Sequence, residues 1–355
     1  MAALALSCGS AMAQFTSVVK TGVAVPGQGT NFTNVNIAGI DSVGGAAFIG
    51  SFTVGATNYS GLYHKINGNI LTLVDRNSVG PAGETINSII ATGDYENGGI
   101  VFAANTTLGR TLYRYAPNGA LTKLQREGDV LPGSTSPIST FYNRGVSGDQ
   151  NDFAFGTAHV DGGTSLYSSV GGIALPVADN KTRVPVAEMG DFIDFPEVNH
   201  RNGATAFVGR GMDPDNGSTI AETAGVFVAR PGNPIETISH FNEPIPGAVS
   251  DDFRFHEFER PRIMPDGRVA FAGGFINESD PDPTLPRHMG VFIRNPDLTW
   301  KSYIDSNMNL PGLQANIAEF NQFSLETDYN YFGLDDINHG SYIYYESADG
   351  VFTKL

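Results

Sequence analysis

The densest group of side chains that could do chemistry lies in residues 254–262. Three arginines, one histidine and two glutamates stand within these nine residues: Arg254, His256, Glu257, Glu259, Arg260 and Arg262. Arginine binds a carboxylate or a sulfate through two parallel hydrogen bonds, and histidine changes its charge near neutral pH. A uronate loses the proton next to its carboxylate only when that carboxylate is neutralised. This mixture therefore favours proton transfer on an acidic sugar.

We predict a polysaccharide lyase or hydrolase that acts on acidic glycans. His256 would transfer the proton, and Arg260 and Arg262 would neutralise the substrate carboxylate. Tyr142, in the matching stretch of the third repeat, would be their catalytic partner. Four further residues are predicted to bind the substrate: Arg254, Arg287, His288 and Arg144.

The same residues allow two other interpretations. The charged group could be a set of salt bridges at the rim of the fold, with a histidine that only packs. The chain could also bind a glycan or another envelope protein without turnover. Because side chains alternate between the faces of a strand, we expect His256, Phe258 and Arg260 to share one face. The sequence leaves open whether the protein is an enzyme.

An acidic segment in the fourth repeat has oxygen ligands suited to calcium: Asp213, Asp215 and Asn216. An EF-hand loop needs a glutamate at its twelfth position, where Ala224 stands. Calcium is thus one candidate ligand, and solvated loop acids are the alternative. No other cofactor is predicted, and the seven scattered histidines do not have the spacing of a zinc site.

The elements that must position these residues are set by a sixfold repeat. One marker, a small residue or tyrosine before a phenylalanine, recurs every 52 to 64 residues: Ala47-Phe48, Val101-Phe102, Ala154-Phe155, Ala206-Phe207, Ala270-Phe271 and Tyr331-Phe332. A second marker is a leucine or valine before an aromatic residue, as in Leu62-Tyr63. Prolines separate the repeats, and each repeat divides into four short β-rich segments with Gly, Asn or Pro between them. The spacing predicts an all-β chain folded as a single six-bladed β-propeller.

The two ends of the chain are complementary in pattern. Residues 351–355 match residues 120–124, and residues 15–27 match residues 121–133, which include the turn that residues 351–355 lack. We therefore expect the N-terminal strand, residues 15–20, to close the ring by pairing with the last blade. Ala11-Met12-Ala13 before Gln14 has the form of a signal peptidase site. Residues 1–13 are predicted to be a signal peptide remnant, and residues 14–355 the propeller domain of a secreted or periplasmic protein.

Composition narrows the choice of partners. A formal net charge of −16 repels phosphate backbones, so nucleic acid is not an expected partner. No transmembrane segment is predicted in the mature chain. The single cysteine, Cys8, lies in the segment predicted to be removed, so no disulfide is expected in the mature chain. The predicted partner is a polysaccharide, and an acidic one because of the arginines.

These motifs resemble a known repeat family. The Gly-x-x-Ala-Phe strand, the Leu-Tyr strand and residues 177–185 are similar to the bacterial choice-of-anchor tandem-repeat proteins, named for an Asn-x-x-Gly-x-x-Ala-Phe repeat. The resemblance covers essentially the whole mature chain. It implies an exported repeat protein, and it implies no agreed catalytic residues.

Overall fold

The computed structural model is all-β. It describes residues 19–40, 46–93, 95, 98–148, 152–187, 189–211, 223–246, 252–277, 288–295, 297–305, 310–311, 313, 317–325, 330–336, 341–346 and 352–354, and no helix occurs among them. The all-β prediction is therefore confirmed. In the described part of the chain, no helix is long and apolar enough to cross a membrane.

The strands form six successive units of four. The first three units contain β1 (Phe32–Ile40), β2 (Ala46–Val54), β3 (Thr57–Ile66) and β4 (Asn69–Val74); β5 (Ile86–Thr92), β6 (Ile100–Thr106), β7 (Gly109–Tyr115) and β8 (Leu121–Arg126); and β9 (Ile138–Gly148), β10 (Phe153–His159), β11 (Thr164–Val170) and β12 (Ile173–Asp179). The last three contain β13 (Phe192–Arg201), β14 (Ala204–Gly211), β15 (Thr223–Ala229) and β16 (Glu236–His240); β17 (Phe253–Ile263), β18 (Val269–Asn277), β19 (His288–Arg294) and β20 (Trp300–Asp305); and β21 (Ile317–Leu325), β22 (Asn330–Asp336), β23 (Ser341–Glu346) and β24 (Phe352–Lys354).

Each unit is an antiparallel meander in which every strand pairs with the next one in sequence. Units 1, 2, 5 and 6 are separate four-stranded sheets. Units 3 and 4 are joined into one eight-stranded sheet because β9 pairs with β13 in parallel, with Arg144 opposite Glu197. The predicted four-stranded repeats are thus present, and their first strands are the ones that meet between units 3 and 4.

The two sequence markers form a single cross-strand aromatic pair. The phenylalanine of β2 lies directly opposite the tyrosine of β3, Phe48 against Tyr63, with ring centroids 5.5 Å apart. The other five units repeat this register: Phe102 with Tyr113, Phe155 with Tyr167, Phe207 with Phe227, Phe271 with Phe292, and Phe332 with Tyr344. Because paired aromatic side chains are a main source of sheet stability, the marker recurs once in every unit.

The hydrophobic core lies between successive units. Ala47 packs against the second unit, whereas its neighbour Phe48 faces the opposite side of the sheet. This is the ordinary alternation of a strand, and it explains why the marker joins a small residue to a large one. Five clusters of buried residues connect units 1 to 2, 2 to 3, 3 to 4, 4 to 5 and 5 to 6.

A sixth cluster covers the remaining face of unit 1. It contains Phe32, Phe48 and Tyr63, and Val19 and Val23 from the segment before β1 pack against it. No described residue of unit 6 belongs to this cluster. The predicted pairing of residues 15–20 with the last unit falls mostly outside the described residues, which begin at residue 19, so ring closure stays a prediction.

The first strand of every unit carries register shifts against the second. In β9, residues 142–145 stand between the residues paired with Phe155 and Thr157. In β17, Arg260 and Pro261 stand between the partners of Ala272 and Ala270. Bulges bend a strand and re-aim its side chains, so simple alternation fails in these strands. The remaining first strands show the same kind of irregularity.

The shared face expected for residues 256, 258 and 260 is wrong for this reason. Phe255 and Phe258 are both buried, and their rings pack at 5.5 Å in one cluster, although strict alternation would separate them. A shift of register after Phe255 and a second one after Glu259 change the buried period of β17 from two to three residues. His256 and Arg260 are therefore not related by strand alternation.

Candidate functional site

The bulged segments of the first strands bring charged side chains of units 3, 4 and 5 together. Nη1 of Arg144 lies 2.9 Å from Oε1 of Glu197 and 3.8 Å from Oε2 of Glu259. The Glu197 side chain is only 11% exposed, whereas that of Arg144 is 49% exposed. Each of the three residues comes from a different unit, so these two ion pairs connect β9, β13 and β17. We call Arg144, Glu197, Glu259 and Arg260 the inter-unit network.

Arg260 completes the network through its backbone as well as its side chain. Its backbone N–H donates a hydrogen bond to Oε2 of Glu197, and its Nε donates one to the carbonyl oxygen of Phe320 in unit 6 at 2.6 Å. Its φ is +52°, and among the described non-glycine residues it is the one with positive φ inside a strand. A left-handed residue other than glycine costs about 1–2 kcal/mol, so its partners in units 4 and 6 must hold it in place.

The electrostatics of Arg260 follow from its position. Burial lowers the pKa of the Arg260 guanidinium, and the nearby Arg144 and Arg262 lower it further. Glu197 and Glu259 oppose this effect because they stabilise the charged form. The predicted residues Arg144, Arg260 and Arg262 are therefore electrostatic neighbours in the folded chain. An arginine remains charged at neutral pH despite such shifts.

Tyr142 lies beside a carboxylate that sequence reasoning did not select. Burial raises the pKa of Tyr142 to about 12, and the charge of Asp194 adds to this effect while Arg210 opposes it. Nη1 of Arg210 lies 3.4 Å from Oδ2 of Asp194. Oδ1 of Asp194 is buried and accepts no hydrogen bond from the described residues. Burial accordingly raises the pKa of Asp194, against the influence of Arg210.

A glycine makes room for this arrangement. A Cβ placed on Gly156 would lie 2.5 Å from the carbonyl oxygen of Phe195 and 2.9 Å from Cδ2 of Tyr142. Because Gly156 has no side chain, the Tyr142 ring and the backbone of β13 can both pack against β10 at this position. Tyr142 of unit 3 is consequently an electrostatic neighbour of Asp194 and Arg210 of unit 4.

The structure places Arg254 and His256 against the segment that follows β16. Nη1 of Arg254 donates to the carbonyl oxygen of Asn242 at 2.7 Å, and the His256 ring packs edge-on against Phe241 with centroids 4.9 Å apart. Both contacts are to the connection between β16 and β17. The catalytic role predicted for His256 stays a prediction, because these contacts neither assign it nor remove it.

Several predicted residues fall outside the described part of the chain. These are Arg287 and the calcium candidates Asp213, Asp215 and Asn216. His288 is the first residue of β19, with its backbone opposite Phe275, and only its backbone is described. Within the described residues, no group of three or more histidine, cysteine, aspartate or glutamate side chains is arranged to hold a metal ion. The calcium prediction therefore stays untested.

The two acids of β13 carried a sequence signal that single-residue reasoning passed over. Asp194 and Glu197 lie on either side of Phe195 and Pro196 in β13. Proline inside a strand indicates a bulge, and a bulge can bring two polar residues to one side. Other acids have a structural explanation instead. Asp179, for example, accepts bonds from the backbone of Lys181 and the hydroxyl of Thr182 in the turn after β12.

Solved structures similar to this chain have low identity to it. A puromycin-hydrolysing peptidase of Mycobacterium tuberculosis matches 90% of this chain and 44% of its own chain, at 9% identity and a TM-score of 0.49. The Aleuria aurantia lectin matches 92% of this chain and 96% of its own, at 7% identity and a TM-score of 0.42. The polysaccharide lyase Uly1 matches 72% of this chain and 57% of its own, at 14% identity and a TM-score of 0.42. This chain spans less than half the length of that peptidase.

None of these likenesses carries an argument about activity, because every TM-score is below 0.5. A comparison with curated proteins found no match. One family profile matches residues 53–330, from the end of β2 to the start of β22. The match covers most of the chain. The chain therefore belongs to the family of unknown function DUF7453.

Proposed function

We propose that this protein is an exported six-bladed β-propeller that binds an acidic polysaccharide at the inter-unit network. The observation that carries the proposal is the half-exposed guanidinium of Arg144, fixed at 2.9 Å by the buried carboxylate of Glu197. An arginine held in one orientation loses little freedom when it binds a carboxylate or sulfate. Loops and bulges on a rigid β scaffold are usual places for such sites.

The six-bladed ring itself is part of this proposal. In units 2 to 6 the marker phenylalanine packs toward the preceding unit, as Phe271 does in the cluster shared with unit 4. By the same repeat, Phe48 and Tyr63 of unit 1 would face the last unit, and residues 19–25 already contribute to that cluster. A ring closed in this way leaves no unit with an uncovered face.

The charge balance of the network suits a ligand with both hydroxyl and carboxylate groups. Glu197 and Glu259 can accept hydrogen bonds from sugar hydroxyls, and Arg144 can exchange its weaker partner at 3.8 Å for a uronate. Tyr142, whose pKa is about 12, keeps its proton at neutral pH and can donate a hydrogen bond. When Glu197 and Glu259 bind sugar hydroxyls, the arginines need another anionic partner. We therefore infer an acidic rather than a neutral glycan.

A polysaccharide lyase is the second candidate, and the protonated Tyr142 favours it. In uronate elimination a base removes the proton on C5, the bond from C4 to the glycosidic oxygen breaks, and a C4–C5 double bond forms. Tyr142 would give its proton to the leaving oxygen, and Arg144 or Arg260 would neutralise the carboxylate. His256, or the carboxylate of Asp194, would be the base. Arg262 would contribute charge near Arg260.

One experiment separates these possibilities. The full chain is titrated with oligosaccharides of polygalacturonate, alginate and hyaluronan, and heat of binding and absorbance of the unsaturated product are recorded. We expect Arg144→Gln to weaken binding about tenfold or more, since a charge-assisted bidentate contact is lost. Arg230→Gln is the matched control, because Arg230 forms an exposed ion pair with Glu236 at 2.6 Å on β16.

The outcomes are distinct. Binding without product supports the non-catalytic function, and product that falls about 100-fold or more in Tyr142→Phe supports the lyase. Absence of binding to every acidic glycan, or equal losses in Arg144→Gln and the control, overturns the proposal. Export and the resemblance to choice-of-anchor proteins stay part of it. Export predicts secreted material that begins at Gln14, which mass spectrometry can measure.

A further inference from the structure

A cavity lies where units 1 and 2 meet, and its lining residues are distant in sequence from the inter-unit network. Its volume is about 330 Å³, close to the lower end of small-molecule sites, which span about 300–1,000 Å³. Strands β1, β2 and β3 of unit 1 and β5 of unit 2 line it: Thr33, Asn34, Ser51, Phe52, Asn58, Tyr59, Ser60 and Ser88. We propose that this cavity binds one neutral pyranose residue.

The chemistry of the lining selects the class of ligand. None of the lining side chains is charged, so an anion or a cation would lose its hydration without a compensating partner. Seven of the eight lining residues carry a hydroxyl or an amide, and these groups can both donate and accept hydrogen bonds. A purely apolar ligand would cover these polar groups without forming a hydrogen bond to any of them. A neutral sugar matches them, because each of its hydroxyls also donates and accepts.

The aromatic wall of the cavity is held rigidly. Phe52 is buried, and its ring stacks beside that of Tyr59 at 6.0 Å with an interplanar angle of 25°. The guanidinium of Arg76 lies 4.9 Å from the centroid of the Tyr59 ring. These two contacts orient the Tyr59 ring, which can cover the C–H groups of a pyranose and offer its hydroxyl. Such preorganisation reduces the entropy lost on binding.

The polar lining is also held by hydrogen bonds, both within each unit and between the two units. The Ser60 hydroxyl accepts a hydrogen bond from the backbone N–H of Ile89 at 2.8 Å, and Asn105 donates to the Ser88 hydroxyl at 3.0 Å. Thr33 donates to the carbonyl oxygen of Ser51 at 3.1 Å. The bond between Ser60 and Ile89 connects β3 to β5, and the other two lie within unit 2 and unit 1. Asn34 is exposed at its edge and is the residue most easily changed without disturbing the packing.

The test uses the full chain and a panel of neutral methyl glycosides: glucoside, galactoside, mannoside, fucoside, xyloside and N-acetylglucosaminide. Binding is measured by ligand-observed NMR and by titration at low and high salt. We expect at least one glycoside to bind with an affinity that salt does not change, since no charge is involved. Asn34→Ala should weaken binding about fivefold or more, and Tyr59→Ala about tenfold or more, each from the loss of a contact within the cavity.

Asn36→Ala is the matched control, because Asn36 is an exposed asparagine of the same strand that does not line the cavity. It should leave binding unchanged. If Tyr59→Ala fails to fold, Asn34→Ala alone decides. Failure of every glycoside to bind, or retention of full affinity in Asn34→Ala, overturns the proposal. The cavity is separate from the inter-unit network, so Arg144→Gln should leave glycoside binding unchanged. The two proposals can therefore fail separately.

Discussion

Glu197→Gln is the most informative change in the inter-unit network because two arginines depend on that one carboxylate. The substitution keeps the shape of the side chain and one carbonyl acceptor, but it removes the negative charge. Glu197 is 11% exposed and accepts hydrogen bonds from the Arg144 side chain and the Arg260 backbone. A hydrogen bond to a charged group contributes about 1.5–3 kcal/mol, and breaking a fully buried pair costs about 3–5 kcal/mol.

Arg144 is half exposed and regains water when its partner is lost, which reduces the cost. Arg260 has less access to water, and its pKa is already lowered by burial. We therefore expect the free energy of unfolding to fall by about 2–3 kcal/mol. Urea unfolding followed by the fluorescence of the single tryptophan, Trp300, reports this change from unit 5 itself.

The matched control is Glu236→Gln, whose ion pair with Arg230 is shorter at 2.6 Å but has both side chains about two-fifths exposed. Exposed pairs contribute about 0–1 kcal/mol, and that contribution decreases with salt. Burial, rather than distance, therefore decides how much these pairs stabilise the fold. Equal losses of stability in Glu197→Gln and Glu236→Gln, or a loss in Glu197→Gln that disappears at high salt, would refute it.

Two further changes test packing and protonation. Gly50→Ala should lower the free energy of unfolding by about 1–3 kcal/mol, because the new Cβ would lie 2.2 Å from Cε1 of the buried Phe32. Gly163→Ala is the control, since the atom nearest to its new Cβ is a flexible carboxylate oxygen of Asp161 at 3.1 Å. The urea midpoint of Gly163→Ala should change little. Burial raises the pKa of Asp194, so its contribution to stability is complete below about pH 4 and is lost as the pH rises through the folded pKa. Asp194→Asn should therefore lose less stability than the wild type as the pH rises above about 4, because the amide never becomes charged, and a difference between the two that does not vary with pH would contradict this.

The repeated elements could be predicted from sequence because their signal is duplicated in every unit. Phe48 and Tyr63 occupy the same register as the corresponding pairs of the other five units. Arg144 and Arg260 could be selected by residue type, but the partner that joins them could not. Glu197 reaches both only because the bulges of β9, β13 and β17 face one another, and bulges change the face on which a side chain lies.

The described core clusters join only neighbouring units, and this determines where local unfolding should occur. Each of the five connecting clusters joins one unit to the next, and each aromatic pair closes a contact within a single meander. Stability then approximates a sum of unit terms and nearest-neighbour terms, as in a one-dimensional cooperative array. Hydrogen exchange should accordingly be slowest in units 3 and 4, which share one sheet. The inter-unit network spans that slowest region, so a ligand bound there meets the part of the protein that opens least often.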